Sequence, residues 1–425
     1  MCRRFGSFLA KRKEGGGMSE IKTLLQINVT ANWGSTGKIA EDIGKMALTK
    51  GWRSIIVYGR NHKASESELI RIGNDYSVKE HAFESRLFDN CGLSSRNATR
   101  KLIKHIAAIS PDIIHLHNIH GYYINYKILF DYLTKSNTPV LWTLHDCWAF
   151  TGHCAYFDYA KCKKWMDGCL SPCPCKKFFP KSLLFERSEK NWALKRKCFT
   201  SNKNLTLVPV SEWLGKLVKQ SFLKDIPMKV IHNGIDINIF SPQIDADMLR
   251  ARYRLENKKI LLGVASVWDE RKGLDDYLKL AELLPNGIVI VLIGLHEGII
   301  KHMPCNIIGL QRTESQRELA MWYTLADIVL NLSYEESFGL TTVEGFACGT
   351  PGVVYNKTAS PELITSETGE IVPPGDVQGI RNSITTILNR GKSFYATACR
   401  QRAVELYNNN VCFERYFNLY ETLIS

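Results

Sequence analysis

Glu336-Ser-Phe-Gly-Leu-Thr-Thr-Val-Glu344-Gly-Phe-Ala-Cys-Gly349-Thr-Pro351 sets two carboxylates eight positions apart around a glycine turn. The apolar run Ile328-Val-Leu330 before it reads as a buried strand, so Glu336 falls just past a strand's C-terminal end. Thr341 to Cys348 reads as a short helix, stopped by Gly349-Thr-Pro351. A strand–turn–helix of this kind aims unpaired N–H groups and a positive dipole end above the sheet, which suits a phosphate. Glu336 and Glu344 are then placed to accept from hydroxyls on either side of it. Hydroxyl–phosphate–hydroxyl is the outline of a nucleotide-sugar.

A simpler account makes Thr341-x-x-Glu344 a capping box and Glu336 a solvated loop acid. It explains Glu344 but not Glu336, Gly339 or the Gly-x-Pro exit. The whole string resembles the Glu-x7-Glu signature of retaining glycosyltransferases of the family 4 type, with Glu, Phe-Gly, Glu and Gly-Thr-Pro all in register.

The 425 residues fit two domains, and an apolar content of 45% with 23% charged is that of a globular protein. No apolar run approaches the roughly 20 residues needed to cross a bilayer. The net charge of +13 favours anionic partners: nucleotide phosphates, acidic headgroups or nucleic acid. Part of the excess lies in Lys176 to Lys197, where a solvated helix face competes with membrane contact. Residues 1–17 are basic and lack an apolar signal-peptide core; they read as a tail, with Met18 as an alternative start. A cytoplasmic, reducing location follows as an expectation, with peripheral contact at the inner membrane's cytoplasmic face.

Thr23 to Val29, Ser54 to Tyr58, Asp112 to Leu116, Val140 to Leu144 and Leu205 to Val210 read as parallel-sheet strands, with a helix over Lys38 to Lys50. The rhythm restarts at Lys259 to Ala265, Ile288 to Ile293, Ile328 to Asn331 and Gly352 to Tyr355. Val230 to Asp236, followed by Ser241-Pro242, reads as the linker. The expected fold is α/β: two doubly wound Rossmann-like domains, 18–235 and 236–411, facing across a cleft, with a cysteine-rich insertion at 147–180. The resemblance implies the GT-B architecture, with the last segment, 412–425, crossing back to the first domain.

Gly34-Ser35-Thr-Gly37-Lys38 opens the first helix but fails as a P-loop, because Asn32 and Ile39 occupy the required Gly and Ser/Thr positions. It is either a plain helix start or, by resemblance, a donor-facing glycine loop. His145 ends the strand Val140 to Leu144, where open α/β sheets bind ligands; His115 and His117 end another strand with weaker claims. Asp245-Ala-Asp247 mimics a metal–nucleotide DxD motif but opens a helix, where acids suit the dipole. Six of the 13 cysteines fall between Cys147 and Cys175. Cys154, Cys162, Cys169 and Cys173 are candidates for a structural zinc, packed thiols being the alternative and disulfides the least expected. Trp148 to Cys154 resembles a subset of these transferases with such an insertion.

The resemblance further implies that Glu344 holds the donor ribose and that Glu336 contacts the donor sugar. Backbone around Phe338, Gly339, Leu340 and Thr341, with Lys272, meets the diphosphate, and His145 lies over the reacting sugar. Val267 occupies the family's usual arginine position, so Arg271 is the stand-in charge. No cofactor or catalytic metal is implied. The implied partners are a nucleotide-sugar donor and a saccharide or lipid-linked saccharide acceptor of cell-surface polysaccharide synthesis, with no nucleic acid. A GT-B phosphorylase or epimerase, or a nucleic-acid module on the cysteine cluster, are the rival readings.

Overall fold

A computed structural model describes residues 21–425, so the tail at 1–17 and the Met18 start lie outside the described residues. Two six-stranded sheets, parallel throughout, organise the chain. In the first, β1 (Thr23–Asn28), β2 (Arg53–Tyr58), β3 (Glu68–Arg71), β4 (Ile113–Leu116), β5 (Val140–Leu144) and β6 (Leu205–Pro209) lie in the order 3-2-1-4-5-6. In the second, β7 (Lys259–Val264), β8 (Ile288–Ile293), β9 (Ile307–Leu310), β10 (Ile328–Asn331), β11 (Gly352–Tyr355) and β12 (Gly369–Val372) follow 12-11-10-7-8-9. In each sheet the order reverses beside its first strand, the switch point at which doubly wound sheets open a ligand crevice.

β1, β4, β5 and β10 are wholly buried and mostly apolar, as strands covered by helices on both faces must be. The first helix starts at Gly34, earlier than the apolar spacing from Lys38 indicates, and ends at Thr49. Its opening turn is tight: a Cβ on Gly37 would lie 2.6 Å from Thr30 Oγ1.

The last helix, Asn409–Ile424, packs on the first sheet, burying Phe413, Tyr416, Phe417 and Tyr420 against Leu24, Trp52, Ile113 and Leu141. The two chain crossings between domains run side by side: Ile235 N–H donates to Tyr407 O at 2.8 Å, and Asn409 N–H to Ile235 O at 2.9 Å. A Cβ on Gly234 would lie 2.5 Å from Asn409 Cα, so the Asn233-Gly234 step is a close backbone approach. Among the described residues no helix is long and apolar enough to cross a membrane.

Candidate active site

A cleft of about 620 Å³ separates the domains at the C-terminal ends of β1, β5, β7 and β10. Gly34, Ser35, His145, Arg271, Lys272, Glu336, Phe338, Gly339, Leu340, Thr341 and Glu344 all line it.

The signature helix spans Leu340–Ala347, with Gly339 as its N-cap at φ 104° and no side-chain cap. The capping box of Thr341 and Glu344 is therefore absent: Thr341 lies inside the helix, and Glu344 accepts from Tyr323 Oη at 2.7 Å. Among the described residues, no protein group accepts from the backbone N–H groups of Phe338, Gly339, Leu340 or Thr341. They present an array of donors to the cleft. Burial raises the Glu344 carboxyl to about 7, a shift the Tyr323 hydroxyl opposes.

Glu336 stands on the other side of this array, with its N–H bonded to Thr358 Oγ1 at 2.8 Å. Its carboxylate pairs with Lys272 and accepts from Ser333 Oγ at 3.2 Å. Lys272 is positioned by a turn in which Asp269 accepts from its N–H, and by Gly273 at φ 70°. A Cβ at Gly273 would lie 2.2 Å from Leu332 O, which accounts for Lys-Gly at this place. Arg271 is already engaged. It pairs with Asp269 at 2.9 Å, lies 3.7 Å from Glu335, and stacks over the Tyr156 ring at 4.8 Å. Both cations that line the cleft are thus paired, Arg271 with Asp269 and Lys272 with Glu336.

His145 lies in a buried histidine array. Gln26 Nε2 donates to Ala40 O at 2.8 Å, which turns Gln26 Oε1 toward His117 Nε2 at 3.1 Å. An amide oxygen only accepts, so His117 carries its proton on Nε2 and accepts at Nδ1 from His145 Nε2–H, 3.1 Å away. His145 Nδ1 is thereby left as an acceptor, with no partner among the described residues. Burial lowers the His145 imidazole to about 4 and holds His117 well below its ordinary value, so both rings are neutral at pH 7. His115 faces away, bonded to Thr143 and Tyr420.

Asn233, from the interdomain crossing, lines the same cleft with a buried Oδ1 that has no partner among the described residues. Tyr156, from the insertion, lines it too. Neither is singled out from sequence; Asn233-Gly234 is the available signal, read only as part of the linker.

The cysteine-rich segment at 147–180 joins the domains. Asp158 pairs with Lys357 at 2.6 Å, and Tyr159 N–H donates to Glu335 Oε1 at 2.7 Å. Cys154, Cys162, Cys169 and Cys173 line one small hollow, but Cys169 accepts from Gly152 N–H at 3.1 Å. Cys175 instead lies within hydrogen-bonding reach of Cys154, Cys162 and Cys173. Among the described residues no three or more Cys, His, Asp or Glu side chains are arranged as a metal ion would need, while four thiols, those of Cys175 and three expected zinc ligands, gather together. Lys195, within the basic run expected to be solvated, is buried, with Nζ donating to Trp148 O at 2.7 Å and Thr151 O at 3.0 Å. Asp245 and Asp247 are paired with Arg317 and Arg250 and do not line the cleft.

Two Rossmann-like domains around a cleft of this make-up define a GT-B glycosyltransferase. Residues 39–239 match Glycosyltransferase Family 4 and residues 245–403 match Glycosyl transferases group 1, and the chain belongs to this type. It is 24% identical over 415 residues to WcaC of Escherichia coli K12, named as a colanic acid biosynthesis glycosyl transferase, covering 94% of this chain and 100% of that one. Sucrose-phosphate synthase of Thermosynechococcus elongatus shares the fold at TM-score 0.71 and 17% identity, over 95% of this chain and 99% of the other. Anabaena HepE, solved with UDP-glucose, does so at TM-score 0.65 and 14% identity, over 94% and 99%.

Proposed function

We propose that the chain transfers a sugar from a nucleoside-diphosphate-sugar to a saccharide or lipid-linked saccharide acceptor, with retention at the transferred carbon, in surface polysaccharide synthesis. One observation carries the reading: free N–H groups at Phe338 to Thr341 lie between Glu344 on one side and the Glu336–Lys272 pair on the other. Glu344 holds the ribose hydroxyls, the N–H array and Lys272 take the diphosphate, and Glu336 orients the donor sugar. The UDP-glucose complex of HepE and the name of WcaC support this assignment.

A helix N-terminus contributes roughly 0.3–1 kcal/mol to a nearby anion, whereas enzymes lower barriers by about 8–23 kcal/mol. The helix therefore acts together with Lys272 and with the exclusion of water as the domains close. His145, neutral and accepting at Nδ1, orients a donor-sugar hydroxyl and is no proton donor. The departing diphosphate oxygen takes the acceptor's proton on the face it leaves, which gives retention without a carboxylate nucleophile. The test is a donor screen: purified protein with a panel of nucleotide-sugars, read by thermal shift, slow hydrolysis and the anomeric configuration of the product. No nucleotide-sugar raising the melting temperature, or an inverted product, would sink the reading.

A further inference from the structure

Tyr156 enters the donor cleft from the cysteine-rich segment, with the Arg271 guanidinium over its ring at 4.8 Å. Both of its chain neighbours are fixed. Ala155 N–H donates to Phe179 O at 3.1 Å, and Ala155 O accepts from Cys147 N–H at 2.9 Å. Phe157 stacks on Trp165 at 5.0 Å, and its carbonyl accepts from Cys162 N–H at 3.1 Å. A side chain set between two anchored neighbours reaches the cleft at a defined place. Burial above all, and then the negative charges of Asp146 and Glu336, raise the Tyr156 phenol well above its ordinary value. The hydroxyl is therefore a neutral donor at pH 7, and it has no hydrogen-bond partner among the described residues.

Asp146, next to His145, lines the same cleft. Its Oδ2 accepts from His120 Nε2–H at 2.8 Å, and its Oδ1 from Trp148 N–H at 2.9 Å. Burial alone would raise the Asp146 carboxyl, but His120 and the Trp148 N–H outweigh it and hold the group below its ordinary value. It is an ionised carboxylate at pH 7, and each oxygen keeps a further lone pair. This part of the cleft therefore sets a phenol donor among carboxylate acceptors. A sugar hydroxyl donates and accepts, so it satisfies both kinds of group, whereas an ionised carboxylate only accepts. Charge points the same way. Asp146, Glu335 and Glu336 line the cleft beside Arg271 and Lys272, and those two cations are already paired with Asp269 and Glu336. A uronic acid would place one more carboxylate among these acids, next to a diphosphate.

We propose that Tyr156 is a specificity residue for the donor sugar and that, together with Asp146, it selects a neutral hexose and rejects a uronic acid. This rests on the glycosyl-transfer reading, in which Glu336 meets the donor sugar, and it names the class of that sugar. It also gives the cysteine-rich segment a part in substrate choice, because the packing of that segment sets where Tyr156 stands.

The test is titration calorimetry of the full chain with UDP-glucose, UDP-galactose and GDP-mannose, with the uronic acid counterpart of each, and with UDP and GDP alone. On the nucleotide that binds, the tightest neutral sugar is expected to bind about tenfold tighter than its uronic acid counterpart, or more. Tyr156→Phe keeps the ring under Arg271 and removes only the hydroxyl. It should weaken the neutral sugar about three- to tenfold and leave the bare nucleoside diphosphate unchanged. Asp146→Asn should narrow the gap between neutral and acidic sugars, with circular dichroism checking its fold; the Tyr156→Phe arm stands without it. A uronic acid that binds as tightly as its neutral counterpart overturns the proposal, and so does a folded Asp146→Asn variant that keeps the full gap. A Tyr156→Phe variant that binds the neutral sugar as the parent does, or that weakens the bare diphosphate equally, overturns it too, the second by making Tyr156 a prop for Arg271. All of these leave glycosyl transfer standing, whereas a parent protein that binds no nucleotide overturns glycosyl transfer and the proposal together.

Discussion

Glu344 shows how one side chain ties burial to binding. Its carboxyl is raised to about 7, chiefly by burial, so near neutral pH a large fraction is protonated in the free protein. The folded state then holds this proton more tightly than the unfolded chain does, and the group's contribution to stability falls as pH rises from its ordinary value toward 7. Ribose hydroxyls donate to the ionised form, so donor binding expels the proton. Affinity for a nucleotide-sugar, which has no phosphate titrating near 7, should weaken by about tenfold per pH unit below 7 and level off above it. Glu344→Gln should bind more weakly at and above pH 7, with a flat profile that the parent approaches as pH falls, while melting within a few degrees of the parent. Titration calorimetry across pH checks this, and an unchanged slope in the variant would remove Glu344 from the donor site.

At the scale of elements, interior strands are legible because they are mostly apolar and wholly buried, and the strands that escape notice are edges. β3 is Glu-Leu-Ile-Arg, β9 is Ile-Ile-Gly-Leu and β12 is Gly-Glu-Ile-Val; each is four residues long, partly exposed, and bordered by one partner. Nothing in such a run separates strand from loop until the neighbouring strand is in place. The signature turn was legible because its residues are contiguous, whereas Asn233 and Tyr156 enter the cleft from a crossing and an insertion distant in sequence. Local geometry predicts its own consequences. Gly273→Ala places a methyl against Leu332 O at positive φ, so it should lower stability by about 1–3 kcal/mol and displace Lys272, weakening donor binding as well. A denaturant melt with unchanged midpoint would show that the turn relaxes freely. In the insertion, Cys175→Ser buries a hydroxyl among three thiols and should lower the melting temperature more than Cys162→Ser, whose site is half-buried. Zinc released on unfolding the parent protein, read with a chelating dye, would make the thiols metal ligands and not packed side chains.

The whole molecule is two domains held by three separate devices: the paired crossings at Ile235 and Asn409, the insertion's Asp158–Lys357 and Tyr159–Glu335 contacts, and the last helix. That helix follows the second domain in sequence yet completes the core of the first. Phe417 packs edge-on against Trp52 at 5.5 Å, and Tyr420 Oη is hydrogen-bonded with His115 Nδ1 at 2.6 Å. The first domain therefore reaches its full stability only after the last residues are in place. Phe417→Ala removes a fully buried ring, at a cost of about 3–5 kcal/mol, out of a total that is commonly 5–15 kcal/mol. The loss should fall on the first domain, because Phe417 makes its contacts there, in a cluster separate from the one that holds the second sheet. Calorimetry of the variant should show a lower transition for the first domain separating from an unmoved one for the second, with nucleotide protecting the latter. A single transition shifted as a whole would mean that the three devices couple the domains into one cooperative unit, and that the cleft opens only within the folded state.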